Sequence, residues 1–414
     1  MPQKIIVIGA GIVGVSTGIW LRRFGADVTL IDRAAPGQGT SYGNAGVLAA
    51  CSMVPVTAPG LIHKAPGMLL NPDFPLFLRW GYLPKLAPWL MKYLRHANDT
   101  DTRRIAEALT PIVADSVEQH KALTRETEAA HWVTDSDYHF AYDSRAAFEA
   151  DVYTWALRRA AGFEPIVVEG AAVREAEPHL SAAVGCLATV KDHGFIRDPG
   201  AYVAALADVF EGLGGRIATG EVVDFDLASG RIAAVVTRQG RMACDAVVLA
   251  TGVWSKPLMR KLGISVPLES ERGYHIVFEA AENGPRAPTM VASGKFVATP
   301  MAAGVRCAGI VEFGGLEKAP SKPPFALLRR RVQETYPMLT RTREEEWMGH
   351  RPAPADSLPL IGEIGQTGVL SAFGHHHIGL TGGPKTGRLI AEMLTERAPN
   401  IDMRPYTPNR FAAG

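Results

Sequence analysis

The chain has 414 residues, 47% of them hydrophobic and 21% charged, which is typical of a soluble globular protein with two or three domains and not of a disordered or fibrous one. Its 43 basic and 42 acidic residues leave a net charge of +1, which argues against a nucleic-acid partner. The four cysteines form no CxxC pair, so they indicate neither a disulfide framework nor a structural zinc site, and we expect a reducing cytoplasm.

The first predicted elements, over residues 4–32, are a strand, a glycine turn, a helix and a second strand. In the turn Gly9-x-Gly11-x-x-Gly14, the first glycine permits a tight bend, the second lets the backbone approach a pyrophosphate, and the third lets the helix pack closely. The helix N-terminus offers free N–H groups to phosphates. Asp32 ends the second strand, at the distance expected of a carboxylate that holds ribose hydroxyls. This unit predicts a dinucleotide site but leaves the dinucleotide open.

Residues 74–94 are aromatic and apolar, with Arg79, Lys85 and Lys92 interspersed. The segment fits a helix pair lying on a membrane surface, which would place the protein at the inner face of the membrane, or helices packed on the outside of a substrate domain. No run reaches the roughly 18 apolar residues needed to span a bilayer. We interpret the apolar N-terminus as a strand and not as a signal peptide.

The rest of the chain alternates between helical and strand patterns. We predict helices over 102–130, 148–161, 198–213, 326–336 and 379–394, and strands over 139–142, 216–223, 231–237, 242–250, 274–279, 295–300, 306–313 and 368–374. A nucleotide-binding domain is then assembled from residues 1–50, 197–255 and 352–414. A substrate-binding domain is inserted twice, as residues 51–196 and 256–351.

Three glycine turns, at residues 9–14, 250–252 and 374–379, favour FAD over NAD as the dinucleotide. A nicotinamide site would need a second mononucleotide-binding half soon after Asp32. Residues 37–46 are instead small and polar, which suits a segment of backbone that runs alongside a flat ring system. The helix that begins at Gly379 would direct its dipole at the N1–C2=O edge of a flavin.

The motifs, taken in order, resemble those of the D-amino acid oxidase superfamily, and most closely those of bacterial D-amino acid dehydrogenases. They are Gly9-x-Gly11-x-x-Gly14 with Asp32, Thr40-Ser41-x-x-Asn44-Ala45-Gly46, Ala250-Thr251-Gly252, Gly349-His-Arg351-Pro-x-Pro-x-Asp356 and Gly374-His followed by Gly379. The resemblance implies an α/β fold with a Rossmann-type FAD-binding domain and an interleaved antiparallel-sheet substrate domain, as in p-hydroxybenzoate hydroxylase. It also implies oxidation of a D-amino acid by hydride transfer from the α-carbon to flavin N5. The imino acid would hydrolyse to a 2-oxo acid, and a quinone or another acceptor would take the electrons.

The resemblance also assigns the catalytic residues. Arg351 would grip the substrate carboxylate with two parallel hydrogen bonds, unless it pairs with a local acid such as Asp356 or one of residues 344–346. Tyr274 would share the carboxylate or else pack in the core. His376 or His377 would line the pocket above the flavin or else be ordinary loop residues.

The predicted cofactor residues follow the same motifs, and FAD is expected to be non-covalent because no cysteine lies near residues 349–350. A metal site is not expected, since three consecutive histidines do not easily converge on one ion. Glu312, at the end of a predicted strand of the substrate domain, is a further candidate for the pocket, which the sequence alone leaves open. The predicted FAD-binding residues are Gly9, Gly11, Ile12, Val13, Gly14, Asp32, Arg33, Thr40, Ser41, Asn44, Ala45, Gly46, Val47, Val222, Ala250, Thr251, Gly252, Trp254, Gly374, His375, Ile378, Gly379, Leu380 and Thr381.

Several alternatives stay open at this stage. The histidine triplet departs from the smaller turn of D-amino acid dehydrogenases, which raises D-proline or hydroxyproline as substrates. An oxygen-using oxidase of glycine or sarcosine is a second alternative. A non-catalytic flavin-binding subunit of a larger complex is a third. The side chain of the substrate, the electron acceptor and the oligomeric state are left undetermined.

Overall fold

The computed structural model describes residues 2–71 and 73–412, apart from the side chains of residues 64, 66 and 70. The outermost residues of the predicted nucleotide domain, 1 and 413–414, therefore lie outside the described residues. The strands are β1 (Lys4–Ile8), β2 (Asp27–Asp32), β3 (Val47–Leu48), β4 (Leu76–Leu78), β5 (Val133–Tyr142), β6 (Ile166–Glu169), β7 (Cys186–Ile196), β8 (Arg216–Thr219), β9 (Val222–Ala228), β10 (Arg231–Thr237), β11 (Gly240–Ala243), β12 (Ala246–Leu249), β13 (Leu268–Glu279), β14 (Thr289–Val291), β15 (Phe296–Met301), β16 (Gly304–Phe313), β17 (Arg343–Pro354), β18 (Leu360–Glu363) and β19 (Val369–Phe373). The α-helices are α1 (Ile12–Arg23), α2 (Leu61–Leu70), α3 (Leu83–Arg95), α4 (Asp99–Val113), α5 (Ser116–Thr124), α6 (Arg145–Ala150), α7 (Val152–Ala160), α8 (Ala171–Ala176), α9 (Pro199–Gly212), α10 (Ser255–Lys261), α11 (Lys322–Thr335) and α12 (Gly379–Leu394). Short 3₁₀ turns cover Trp80–Tyr82, Glu128–Trp132, Gly252–Trp254, Arg404–Tyr406 and Pro408–Phe411.

The first sheet has the strand order β18-β19-β12-β1-β2-β8, with β18 antiparallel at one edge and the other strands parallel. Its central strand β1 is apolar and buried from Ile5 to Ile8 because both of its faces are covered. Helices α1, α9 and α12 contribute to the core on one face. The three-stranded sheet β11-β10-β9 and helix α10 contribute to the core on the other face. This is the layered arrangement expected of a Rossmann-type domain.

The second sheet has the order β17-β13-β16-β15-β14-β5-β7-β3, with β4 also paired to β16 and β6 to β7, and it is antiparallel except for the β14–β5 and β16–β4 pairs. Its longest ladder joins β13 to β17 without a register shift, from Leu268 opposite Pro354 to Glu279 opposite Arg343. Helix α11 packs against one face of this sheet. The other face closes a cavity, described below, between the two sheets.

Several elements do not keep to the predicted division of the chain, among them helix α10, which lies almost wholly within residues 256–351 but packs in the core of the first sheet. Strand β3, within residues 1–50, joins the second sheet, and helices α4 and α5, within residues 51–196, pack against α12 in the first core. The exact domain boundaries stay a prediction.

Several predicted elements match the structure closely, and others are divided. Strand β10 and helix α12 have their predicted bounds, whereas the strand predicted over 216–223 is two strands that belong to different sheets. The division falls at Gly220, whose N–H donates to the Asp32 carbonyl before the chain leaves the first sheet. The helix pair predicted within residues 74–94 is wrong: that segment contains strand β4, a 3₁₀ turn and the single helix α3.

Candidate functional site

A cavity of about 990 Å³ lies beside the carboxyl ends of β1, β2 and β12 and is closed by the second sheet. This volume is at the upper end of the range, about 300–1,000 Å³, that small-molecule and cofactor sites occupy. Every residue predicted to bind FAD lines the cavity except Gly14 and Gly46. Arg351, Tyr274, His376 and His377 are also among the residues that line the cavity. The structure therefore brings together residues that are up to about 370 positions apart in the chain.

The glycine turn holds the backbone close to the cavity. Gly9 has a φ of +108°, and a Cβ there would lie 2.5 Å from the carbonyl oxygen of Ala250. A Cβ on Gly14 would lie 1.9 Å from the carbonyl oxygen of Gly9, so Gly14 serves packing and does not form the wall. A Cβ on Gly11 would meet only the Ser41 hydroxyl, at 3.2 Å. The turn thus leaves room beside Gly11 for a ligand to approach the backbone.

Two helices direct N-termini without a side-chain cap toward this cavity. Helix α1 follows Gly11, and the Ile12 N–H donates to the Ser41 hydroxyl over 3.0 Å. Helix α12 begins at Gly379, which lines the cavity with Leu380. Free N–H groups and the helix dipole make each of these ends favourable for an anion or a polar carbonyl edge.

The carboxylate of Asp32 shapes the polar end of the cavity. One of its oxygens accepts the Ala10 N–H at 2.7 Å, and the other accepts the Ala34 N–H at 3.1 Å. Beside it, the Arg33 guanidinium lies 4.3 Å from the centre of the Trp254 ring. Glycine backbone, two open helix ends and this carboxylate fit a long ligand with phosphates and a ribose, so the residues present fit FAD.

Gly46 is a turn residue and not part of the wall. Its φ is +79°, and a Cβ would lie 2.6 Å from the Met301 methyl and 2.7 Å from the Ile196 carbonyl oxygen. Its N–H donates to the Asn44 side chain over 2.9 Å. Gly46 therefore contributes to the site indirectly, because its turn allows residues 44, 45 and 47 to line the cavity.

Arg351 lies on β17 directly opposite Glu271 on β13. Its Nη1 donates to Glu271 Oε1 over 2.7 Å, and His376 Nε2 contacts the other oxygen of the same carboxylate. Burial alone would raise the pKa of Glu271, but His376 and Arg351 outweigh it and hold the pKa well below its usual range. All three side chains line the cavity, so Glu271 is an ionised carboxylate at its wall that bridges Arg351 and His376.

Glu271 was not among the residues predicted from the sequence. The acids considered as partners for Arg351 are engaged elsewhere: Asp356 pairs with Arg410 at 2.7 Å, and Glu344 with Arg329 at 2.7 Å. Glu271 is 80 residues from Arg351 in the chain, so only the antiparallel ladder brings them together. The available signal was an acid two positions before the Gly273-Tyr274 dipeptide, and it was weak because the same strand also carries Glu269 and Arg272.

The three consecutive histidines, residues 375–377, lie in three different environments. His375 Nε2 lies 2.9 Å from the Thr386 hydroxyl, and burial lowers the pKa of His375 to about 4. The ring of His377 is accessible from within the cavity, yet the surrounding protein, and then the neighbouring His376, lower its pKa to about 3. Both rings are therefore neutral at physiological pH, and only His376 touches a carboxylate.

The hydroxyl of Tyr274 is not brought together with Arg351. It donates to Glu312 Oε2 over 2.7 Å and accepts the Ser321 N–H at 3.0 Å. Glu312 also pairs with the fully buried Arg272 at 2.6 Å. Because side chains alternate along β13, Arg272 and Tyr274 project from the face opposite Glu271. Glu312, a candidate for the pocket, does not line it and instead anchors this buried cluster.

Among the residues that the structure describes, no group of three His, Cys, Asp or Glu side chains is arranged to hold a metal ion. Over the same residues, no helix is both long and apolar enough to cross a bilayer. The segment 74–94 does expose large apolar side chains, with Trp80 58% and Met91 62% exposed.

The chain matches the family model described as DAO, FAD dependent oxidoreductase, over residues 4–393. It is 39% identical to a D-amino-acid oxidase of Bradyrhizobium diazoefficiens, over 99% of this chain and 100% of that protein. It is 29% identical to a D-amino acid dehydrogenase of Rhizobium johnstonii, with the same coverage of both chains. Among solved structures, L-proline dehydrogenase from P. horikoshii has a TM-score of 0.75 at 20% identity, covering 99% of this chain and 98% of that one.

These matches extend over nearly the whole chain and confirm the predicted fold class, the predicted family and FAD as the cofactor. The chain belongs to the DAO family of FAD-dependent oxidoreductases.

Proposed function

We propose that this enzyme oxidatively deaminates a D-amino acid, giving an imino acid that hydrolyses to a 2-oxo acid. The observation that carries the proposal is the position of Arg351, a guanidinium on the wall of the cavity that fits FAD. The relatives named D-amino-acid oxidase and D-amino acid dehydrogenase support the choice of substrate class. FAD, when bound, supplies the acceptor for the hydride that leaves the substrate α-carbon.

Arg351 would bind the substrate carboxylate and fix its direction. The guanidinium has five N–H donors, and Glu271 occupies only Nη1 in the structure. The remaining donors suit the two oxygens of a carboxylate, which a planar fork binds in a single orientation. We propose that Glu271 acts through Arg351, as a positioning residue that keeps the guanidinium from turning away from the cavity.

His376 and His377 would face the rest of the substrate. His377 is neutral and reachable from the cavity, so it can accept a hydrogen bond from an amine without repelling it. The positive φ of His376, +51°, and the hydrogen bond from its N–H to the Pro352 carbonyl hold the turn against β17. A substrate held by Arg351 would therefore meet both histidines.

The decisive experiment is reductive titration of the purified yellow protein. Acid should release the flavin, and under nitrogen D-amino acids should bleach it while their L-enantiomers should not. D-proline and sarcosine belong in the same panel, because cyclic and secondary amines are alternatives. Bleaching by L-amino acids alone would overturn the stereochemical proposal, and bleaching by none of the panel would overturn the activity.

We also propose that the electrons pass to a quinone-like acceptor at the cytoplasmic face of a membrane. Ile62, Trp80 and Met91 are half or more exposed, and Lys85 and Lys92 lie in the same region of the chain. Exposed aromatic and apolar groups beside cations are typical of contact with anionic lipid surfaces. The protein should sediment with anionic vesicles, and Trp80→Ala should weaken this. Rapid peroxide formation without any vesicle binding would favour an oxidase instead.

A further inference from the structure

One part of the cavity wall carries positive charge with no acid to balance it. This cationic lobe is formed by α7, β5, β14, β15 and the turn before β15, and its lining residues are Tyr138, Phe140, Arg158, Met290, Lys295 and Val297. The acids among the described lining residues are Asp32, Glu221 and Glu271, and none of them belongs to these elements. Lys295 is exposed, whereas Arg158 is partly buried.

Arg158 is held rigidly without a carboxylate partner. Its guanidinium carbon lies 4.4 Å from the centre of the Phe140 ring and 4.7 Å from the centre of the Trp155 ring. The indole of Trp155 is fixed in turn, because its Nε1 donates to the Tyr142 hydroxyl over 2.9 Å. Trp155 and Arg158 are three residues apart on α7, so they share one face of the helix. Aromatic faces position a guanidinium but do not satisfy its N–H donors.

Two of the three guanidinium nitrogens of Arg158 are unsatisfied, and its one neighbouring thiol, Cys51, carries no balancing charge because burial raises the pKa of that thiol to about 11. The Nε and Nη1 atoms of Arg158 are buried and have no hydrogen-bonding partner among the described residues, and no acid of the described chain lies within ion-pair distance. Its neighbour Arg159, by contrast, is exposed and pairs with Glu164 at 2.9 Å. Leaving a partly buried cation unpaired costs free energy, and an anion bound in the cavity would offset that cost.

The cationic lobe adjoins the segment that runs along the predicted flavin site. Ala45 and Val47 pack in the same apolar cluster as Phe140 and Val297, because β3 pairs with β7 and so joins this segment to the second sheet. The lobe and Arg351 thus line one cavity but are carried by different elements. Arg351 lies on strand β17, whereas Phe140 and Arg158 of the lobe lie on strand β5 and helix α7.

We propose that Arg158, assisted by Lys295, binds a second anionic group of the substrate, so that the preferred substrates are amino acids with a carboxylate remote from the α-carbon. The proposal rests on the function proposed above, in which Arg351 takes the α-carboxylate. Arg158 is then a residue that determines specificity and does not touch the reacting atoms. Apolar residues of the same cavity lining, among them Phe140, Met290 and Val297, suit the methylene chain that would join two carboxylates.

Achiral carboxylates test this without any turnover. The FAD-loaded protein is titrated with the dicarboxylates from glutarate to sebacate and with monocarboxylates of equal chain length, following the flavin spectrum and calorimetric heat. A hydrogen-bonded charge contact contributes about 1.5–3 kcal/mol, so the best dicarboxylate should bind about tenfold or more tightly than its monocarboxylate. The chain length at the optimum measures the separation of the two guanidinium groups.

Arg158→Met should abolish this advantage while leaving monocarboxylate affinity and FAD content unchanged, and Arg158→Lys should retain part of it. Arg159→Met, on the exposed face of the same helix, is the matched control. Equal affinity for both ligand types in the unmodified protein, or an advantage that survives Arg158→Met, would overturn the proposal. So would loss of FAD from Arg158→Met, which would make Arg158 a cofactor residue. Because the ligands are not oxidised, these outcomes are independent of whether D-amino acids are the substrates.

Discussion

Glu271 and Arg351 face each other directly across the β13–β17 ladder, with 2.7 Å between Oε1 and Nη1, and form the charged wall of the cavity. The same ladder ends in a second cross-strand pair, Glu279 with Arg343, which lies at the surface. The two strands thus carry two chemically identical ion pairs, one enclosed in the cavity and one exposed to solvent. A substitution in the first pair alters the cavity wall, whereas the same substitution in the second pair alters only the sheet.

Arg351→Lys should raise KM for the amino acid about 100-fold or more while FAD stays bound, because an ammonium cannot hold a carboxylate through two parallel bonds. Steady-state kinetics and the flavin content of the purified variant measure the two effects. Arg343→Lys, on the same strand, should leave both unchanged. Wild-type kinetics in Arg351→Lys would remove Arg351 from the substrate site.

Glu271→Gln should lower the free energy of unfolding by about 3 kcal/mol, since it leaves the enclosed Arg351 without its counter-ion. Glu279→Gln should change it little, because water screens that pair. The pKa of Glu271 is lowered in the folded state, so its stabilisation is present above about pH 4.3 and is lost as the pH falls further. Urea unfolding should therefore show the gap between Glu271→Gln and the unmodified protein closing in acid.

Tyr274→Phe should reduce stability by about 1–2 kcal/mol, because Glu312 and the Ser321 N–H each lose a partner. Its KM for the amino acid should change by less than about threefold, since the hydroxyl lies on the face opposite Glu271. A large rise in KM with normal stability would instead restore Tyr274 to the substrate site.

Gly14→Ala should destabilise the enzyme by about 3 kcal/mol and release FAD, since the new Cβ would lie 1.9 Å from the Gly9 carbonyl oxygen. Gly212→Ala is the control: nothing lies within 4 Å of a Cβ there, and a helical alanine should add about 0.5–1 kcal/mol. Flavin absorbance and chemical unfolding measure both variants. Full FAD occupancy in Gly14→Ala would contradict the close packing of α1 against the turn.

Acid should destabilise the enzyme at a pH where carboxylates are still ionised. Burial is the main reason that the pKa is lowered to about 4 for His120, His350 and His375, and to about 3 for His275. Each folded-state pKa lies below the unfolded value of about 6.5, so the unfolded chain binds more protons and stability falls as the pH drops from about 6.5 to about 4. Each group contributes up to about 1.4 kcal/mol per pH unit. Urea unfolding at a fixed FAD concentration, repeated between neutral pH and pH about 5, measures the slope; a flat profile would contradict these environments.

The sequence was sufficient for the parts of the site that are local in the chain. The glycine turn, Asp32 and the start of α12 at Gly379 are each defined by neighbouring residues, and the structure places them around one cavity. Glu271 could not be assigned in the same way, because its role depends on a pairing partner 80 residues away. The role of Tyr274 likewise depends on which face of β13 its side chain occupies. The pairing register of β13 with β16 shifts between Tyr274 and His275, and the sequence did not predict this irregularity.

Because the two domains are interleaved along the chain, the order of synthesis determines when each strand of the first sheet can pair with its neighbours. Strand β1 lies between β2 and β12, so one of its edges has no partner until residues 246–249 have left the ribosome. At a synthesis rate of roughly 5–20 residues per second, that apolar edge waits roughly ten to fifty seconds. An unpaired, hydrophobic strand edge is a template for aggregation during this interval. Expression in the cell should therefore depend on chaperones that shield the first thirty residues, and slower translation of the middle of the gene should increase that dependence.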